Sequence, residues 1–276
     1  MATMFENNKN LFEMERQGIE YLFQIIKDPV GERSPLFFKR LNKKDLKKVP
    51  MLNQILYLMN YIDEAGEISL TKTGNLRTAL VDELYNQGFL QDNDIAAGIT
   101  KLHGQNSSLT INLTKILLDI SDLTKKRYNK YSLTKRGEKL FQKPNQLLQY
   151  IFHLFGETFN MAYFDGYPDD GIGNVGYGST LLLLNKFGNE PRESVFYADE
   201  YLDLVPQFLN KPFDSLLEER ESAQRAYILR TFNRFLDFFG IIEIDGDRLL
   251  DLLEIEIKTT PLFNKFIGFV PPTNSE

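Results

Sequence analysis

The apolar positions of this chain fall into helical stripes divided by short alternating runs. Residues 9–27 place Leu11, Phe12, Met14, Ile19, Leu22, Phe23, Ile25 and Ile26 at helical spacing, and Pro29 and Gly31 end the pattern. Pro50 opens a second predicted helix with the stripe Met51, Leu52, Ile55, Leu56, Met59 and Ile62, since proline is tolerated in a first turn. Residues 67–71 then read as a short strand, Gly74 as a turn, and Leu76, Leu80, Val81 and Leu84 as the buried stripe of the next helix. Residues 92–102 form a predicted short helix broken at Gly104. Ser107 or Ser108 caps the following one, which carries Leu109, Ile111, Leu113, Ile116, Leu117 and Ile120. Residues 122–127 and 130–134 are two predicted strands joined at Tyr128-Asn129, and a helix starts near Gly137.

One phrase recurs in this pattern. Ser69-Leu70-Thr71-Lys72-Thr73-Gly74 reappears as Ser132-Leu133-Thr134-Lys135-Arg136-Gly137, each time ahead of an apolar helical run. The second copy, read as Tyr-x-Leu-Thr-x-x-Gly over residues 131–137, resembles the exit from the β-wing of winged-helix domains, and the resemblance covers roughly residues 92–143. A more diverged copy is expected near the end of the chain. There Tyr227, Ile228, Phe232, Phe235, Leu236 and Phe239 mark a helix stopped by Gly240, the runs 241–244 and 253–257 alternate as strands do, and Thr260-Pro261 opens another helix. Its Phe232–Phe239 stretch could stack on bases, but the helical spacing favours a core stripe.

The predicted class is α+β and predominantly α-helical, with two or three winged-helix-like units joined by a helical segment. The expected boundaries are an N-terminal helical segment 1–50, a first unit 51–91, a second unit with a basic wing 92–143, a helical platform 144–226, and an acidic third unit 227–276. A similar layout, with Leu-Thr-Lys-x-Gly-Asn-Leu early and Thr-Pro-Leu-Phe late, is found in bacterial proteins linked to the plasmid ORF-3-like group. That resemblance implies tandem winged-helix-like units and brings no activity with it.

Charge divides the chain more sharply than periodicity does. The net charge of -6 over 276 residues conceals 18 Lys and Arg against 11 Asp and Glu in residues 36–143, a net of +7. Residues 144–276 carry 10 against 21, a net of -11, so only the middle third is suited to face a polyanion. The chain has no cysteine, which excludes disulfides, thiolate metal sites and a catalytic thiol. No secretory leader or apolar run long enough to cross a bilayer is apparent, so the expectation is a cytoplasmic protein without membrane contact.

Enzymatic chemistry finds no positive signal. Gly171-Ile172-Gly173-Asn174-Val175-Gly176 has dinucleotide-turn spacing but follows Tyr167-Pro168-Asp169-Asp170 rather than a buried strand. Asp165, Asp169 and Asp170 match no EF-hand register and read as turn residues. His103 and His153 are far apart, and no Gly-x-Ser-x-Gly elbow exists. No cofactor or metal ligand set is therefore expected. The leading expectation is a non-enzymatic protein binding double-stranded DNA. Its contacts would be Ser108, Thr110, Asn112 and Lys115 on a recognition helix and Lys125, Lys126, Arg127, Lys130, Lys135 and Arg136 on and beside the wing. Two alternatives stay open. One is a protein-interaction module whose acidic C-terminal half docks a protein partner or another copy; the other is an enzyme using the acidic glycine-rich loop and a divalent cation.

Overall fold

The computed structural model describes residues 16–210, 219–248 and 251–271. Their α-helices in chain order are α1 (Arg16–Lys27), α2 (Lys43–Leu46), α3 (Pro50–Ala65), α4 (Thr78–Tyr85), α5 (Asn93–Ala96), α6 (Leu109–Ile120), α7 (Lys135–Phe141), α8 (Pro144–Glu157), α9 (Tyr177–Phe187), α10 (Ser194–Leu204), α11 (Glu219–Ile228) and α12 (Pro261–Phe266). The strands are β1 (Leu36–Phe38), β2 (Ile68–Ser69), β3 (Thr124–Arg127), β4 (Lys130–Leu133), β5 (Arg192–Glu193), β6 (Ile242–Asp245), β7 (Glu256–Thr259) and β8 (Ile267–Phe269). The chain is α+β and predominantly helical, with small antiparallel sheets. The predicted positions Leu11, Phe12 and Met14 lie outside the described residues.

Two compact units are present, residues 41–155 and residues 1–40 with 156–276. The middle unit replaces the two units expected at 51–91 and 92–143. β2 is only two residues long and finds its partner in β4, through Ile68 opposite Tyr131 and Ser69 opposite Lys130, giving the strand order β2-β4-β3. A lone two-residue strand satisfies none of its backbone groups, so residues 51–91 have no sheet of their own. α3 starts on Pro50 as predicted and buries Met51, Leu52, Ile55, Leu58, Met59 and Ile62. The helix expected over 92–102 is shorter, because Gly98 takes a φ of 72° just after α5.

The same topology appears in the other unit. Apart from the four-residue α5 of the middle unit, α9, β5, α10, α11, the hairpin β6–β7 and α12 repeat its order helix, short strand, helix, helix, hairpin, helix, and the sheet order is β5-β7-β6. The repeated order thus takes in α9, β5 and α10, which lie before the residues 227–276 expected for a third unit. Its first strand, β5, is the charged pair Arg192-Glu193, which carries no apolar alternation to signal it.

Details of the two hairpins correspond. Thr134 N–H donates to Leu123 O at 2.9 Å and Thr260 N–H to Ile241 O at 3.0 Å. Each threonine hydroxyl also donates, at 2.8 Å, to the preceding carbonyl, that of Asp122 in one unit and Gly240 in the other. Asp122 and Gly240 both have positive φ, 57° and 67°. Thr134 and Thr260 then cap α7 and α12, accepting from Gly137 N and Leu262 N. Gly137 is required by proximity, since a Cβ there would collide with the Leu123 carbonyl oxygen.

Helix α11 continues into a π-helical stretch, Leu229–Leu236, which buries Phe232, Phe235 and Leu236, with Phe239 buried just beyond it. The core reading of the phenylalanines thus holds. Tyr201 stacks on Tyr227 at 4.2 Å between centroids, and Tyr227 and Tyr197 each meet the edge or face of Phe232. On the same stretch Arg230 is 1% exposed and spends all five of its N–H donors. Two go to Asp165 (2.9 and 3.0 Å), one to Asp170 (3.3 Å), and one each to the carbonyls of Pro168 and Ile172.

Removing Arg230 leaves buried Asp165 with Arg234 at 3.5 Å and takes the guanidinium away from buried Asp170, a class of change that costs about 3–5 kcal/mol. Urea denaturation of Arg230→Ala should show a loss of that size. Arg220→Ala should lose under about 1 kcal/mol, because its partners Asp199 and Asp203 are 43% and 48% exposed. Equal losses would contradict this assignment.

Candidate nucleic-acid interface

The β3–β4 hairpin concentrates the cations of the middle unit. Tyr128 and Asn129 both adopt positive φ, 50° and 57°, making the two-residue turn whose twist suits a hairpin. The register pairs Lys125 with Ser132 and Arg127 with Lys130 on one face, and Lys126 with Tyr131 and Thr124 with Leu133 on the other. Tyr131 and Leu133 are buried, so that second face points to the core and the first faces outward. Lys125, Arg127 and Lys130 thus share an exposed surface although they are not adjacent in sequence.

The outer face forms an open groove of about 570 Å³. Lys125, Arg127, Lys130 and Ser132 line it together with the acidic Glu67 and Glu138. Lys130 pairs with Glu67 at 3.3 Å across two half-exposed side chains, a weak tether. At the tip, Tyr128 is 86% exposed and Arg127 lies 5.3 Å from its ring centre. Lys126 lies instead against the first copy of the repeated phrase, its Nζ filling the space that a Cβ on Gly74 would need. Lys135 and Arg136 are exposed on α7, and Arg136 stacks over Tyr150 at 4.4 Å.

The expected helix contacts require correction. Ser108, Thr110 and Lys115 are buried, at 0%, 1% and 4% exposure, and Asn112 is half-buried. α6 is a core helix of its unit. Ser108 caps it by accepting from Ile111 N, and its hydroxyl donates to Asp92, which also accepts from Thr110 N at 3.0 Å. Asn112 accepts from Gln105 at 3.0 Å. Lys115 pairs with Asp119 at 2.6 Å and sits 4.7 Å from the Tyr131 ring centre. The Tyr131 hydroxyl donates to the same carboxylate at 2.7 Å. Burial, reinforced by Asp119, pushes the Tyr131 phenol well above its ordinary pKa and keeps it a neutral donor. Ser108, Thr110 and Lys115 are thus withdrawn from the surface while the unit is folded, and Asn112 is half-buried with its Oδ1 engaged by Gln105.

The other sequence candidates are also placed. Asp165 and Asp170 act as turn residues, accepting from Tyr167 N and Ile172 N at 3.0 Å, and are also the buried counter-ions of Arg230. Gly173 packs so closely that a Cβ would lie 2.9 Å from the Met161 sulfur and 3.1 Å from Arg230 Cβ. The loop is thus held against its own unit and is not an open phosphate cradle. Among the described residues no group of three or more His, Asp or Glu could hold a metal ion, and no helix is long and apolar enough to cross a membrane. Sequence reasoning missed Glu67, Ser132 and Glu138. Strand alternation around Tyr131 and Leu133 carried the signal for Ser132, whereas Glu67 and Glu138 reach the groove only through the fold.

Residues 47–146 are similar to the family described as the Y4jL N-terminal domain. This span lies inside the middle unit and runs across the boundary expected at residue 91. No curated protein and no solved structure matches the chain.

Ser108→Ala should lower stability by about 1 kcal/mol, the usual cost of losing an N-cap, and by more where the Asp92 bond is counted. Thermal or urea unfolding checks this. A stability within experimental error of the parent would show that the cap does not hold α6.

Proposed function

We propose that residues 41–155 are one winged-helix-like module that binds double-stranded DNA through the outer face of its β2-β4-β3 sheet, with α6 serving as core. The order α3, β2, α4, α6, β3, β4 and the strand order β2-β4-β3 support the winged-helix reading. The observation that carries the DNA reading is the convergence of Lys125, Arg127 and Lys130 on one exposed sheet face, in a middle third with a net charge of +7.

Strands and ribbons can enter DNA grooves as helices do, and cations on them meet phosphates. The exposed Tyr128 places an aromatic side chain at the leading tip. Lys126, Lys135 and Arg136 lie off this face and add to the general positive field. Glu67 and Glu138 line the same groove and repel phosphate, so the hairpin cations must outweigh them for the backbone to be held there. Phosphate contacts position a protein without reading sequence, so the proposed module has low sequence preference. In this reading the protein is non-enzymatic and works in the cytoplasm beside DNA.

Fluorescence anisotropy with a labelled duplex over a salt series tests the proposal. The full chain should bind at low salt with an affinity that falls linearly on a log–log plot, by a slope of roughly 0.9 per neutralised phosphate. Replacing Lys125, Arg127 and Lys130 by alanine should weaken binding for every duplex sequence and make the slope shallower by roughly 0.9 for each phosphate no longer neutralised. Unchanged affinity and slope would overturn the proposal.

A further inference from the structure

The two units carry the same sheet with its charges inverted. Registering the hairpins on their shared capping threonines makes Thr124 opposite Leu133 correspond to Ile242 opposite Thr259. Lys125 then corresponds to Glu243, Arg127 to Asp245 and Lys130 to Glu256. The short strands correspond as well: Ser69 pairs with Lys130, and Glu193 with Glu256. Ile257 and Thr259 are buried like Tyr131 and Leu133, so the outer faces correspond too.

All four acids, Glu193, Glu243, Asp245 and Glu256, are exposed, and among the described residues none of them is in a salt bridge. Lys258, half-buried in the place of Ser132, is the one cation among the corresponding outer positions of the β6–β7 pair. Arg192 points elsewhere, lying 4.4 Å from the Phe196 ring centre and 5.2 Å from that of Phe187.

We infer that the acidic outer face of the β5-β7-β6 sheet docks the basic outer face of the β2-β4-β3 sheet in a second copy of this chain. The occupant is identified by its charge pattern. A face with one backbone geometry and acids at the positions of its counterpart's cations offers opposite charges at matching spacings of a two-stranded pleat. Such complementarity speeds encounter and fixes the register of approach. The contact joins two different patches, so copies can make it twice in a closed pair or once each along rings or chains. It stands whether or not DNA binds; if DNA does bind the basic face, the two occupants exclude one another.

Sedimentation velocity on the full chain, without nucleic acid, tests this. At low salt and high micromolar protein the parent should associate, and raising the salt to about 1 M, where the Debye length is about 3 Å, should return it to monomer. The variant K125E/R127E/K130E should be monomeric alone, as should E243K/D245K/E256K. An equimolar mixture of the two should re-form a complex, because the first keeps an acidic face and the second a basic one. That rescue excludes misfolding as the cause of either loss. A parent that stays monomeric at low salt, or variants that associate as the parent does, would overturn the inference.

Discussion

The hydrogen bond from Thr134 N–H to Leu123 O, doubled by the Thr134 hydroxyl on Asp122 O, holds the strand register on which the proposed surface depends. It fastens the end of β4 to the start of β3 and at the same point caps α7. A one-residue slip of β3 against β4 would turn Lys125 and Arg127 toward the core and Lys126 toward solvent, because side chains alternate along a strand. Tyr131, locked by Asp119 and by Lys115 over its ring, resists that slip from the core side. The second copy of the repeated phrase is thus a device for register, whereas in the first copy Thr71 bonds locally to Asn75.

The second unit shows the same device with different dressing. Thr260 repeats both hydrogen bonds of Thr134, and Gly240 supplies the positive φ that Asp122 supplies in the middle unit. What differs is the exposed alternate positions, which cost little to change because they touch water. A duplicated scaffold can therefore keep its core and reverse its charge. Deeper in this unit, Arg230 ties the Asp165–Ile172 loop to the π-helical stretch and makes that segment part of the scaffold.

Much of this was legible in the sequence where the signal is local. Pro50, the Ser108 cap, the Tyr128-Asn129 turn and the phenylalanine stripe each announce their role within a few residues. The β2 and β5 strands were not legible as parts of sheets, because two residues carry no periodicity and their partners lie about sixty residues away. The Arg230 network joins residues 58 to 65 apart, so the turn role of the acids was legible and their ionic role was not. The recognition-helix expectation failed for a related reason. Ser108, Thr110 and Lys115 are polar, but Asp92, Asp119 and Tyr131 satisfy them inside the unit, and polarity alone does not distinguish a paired core group from an exposed one.

In the proposed mode of binding, the face on which a cation stands, rather than the total charge, decides whether a polyanion is held. The direct measurement compares duplex affinity at one low salt concentration for two variants with the same net charge. One is K125E/R127E/K130E, reversed on the outer face, and the other is K126E/K135E/R136E, reversed off it. The first should lose binding and the second should keep most of it. Equal losses in both would show that only net charge matters, and the outer face would then have no special role.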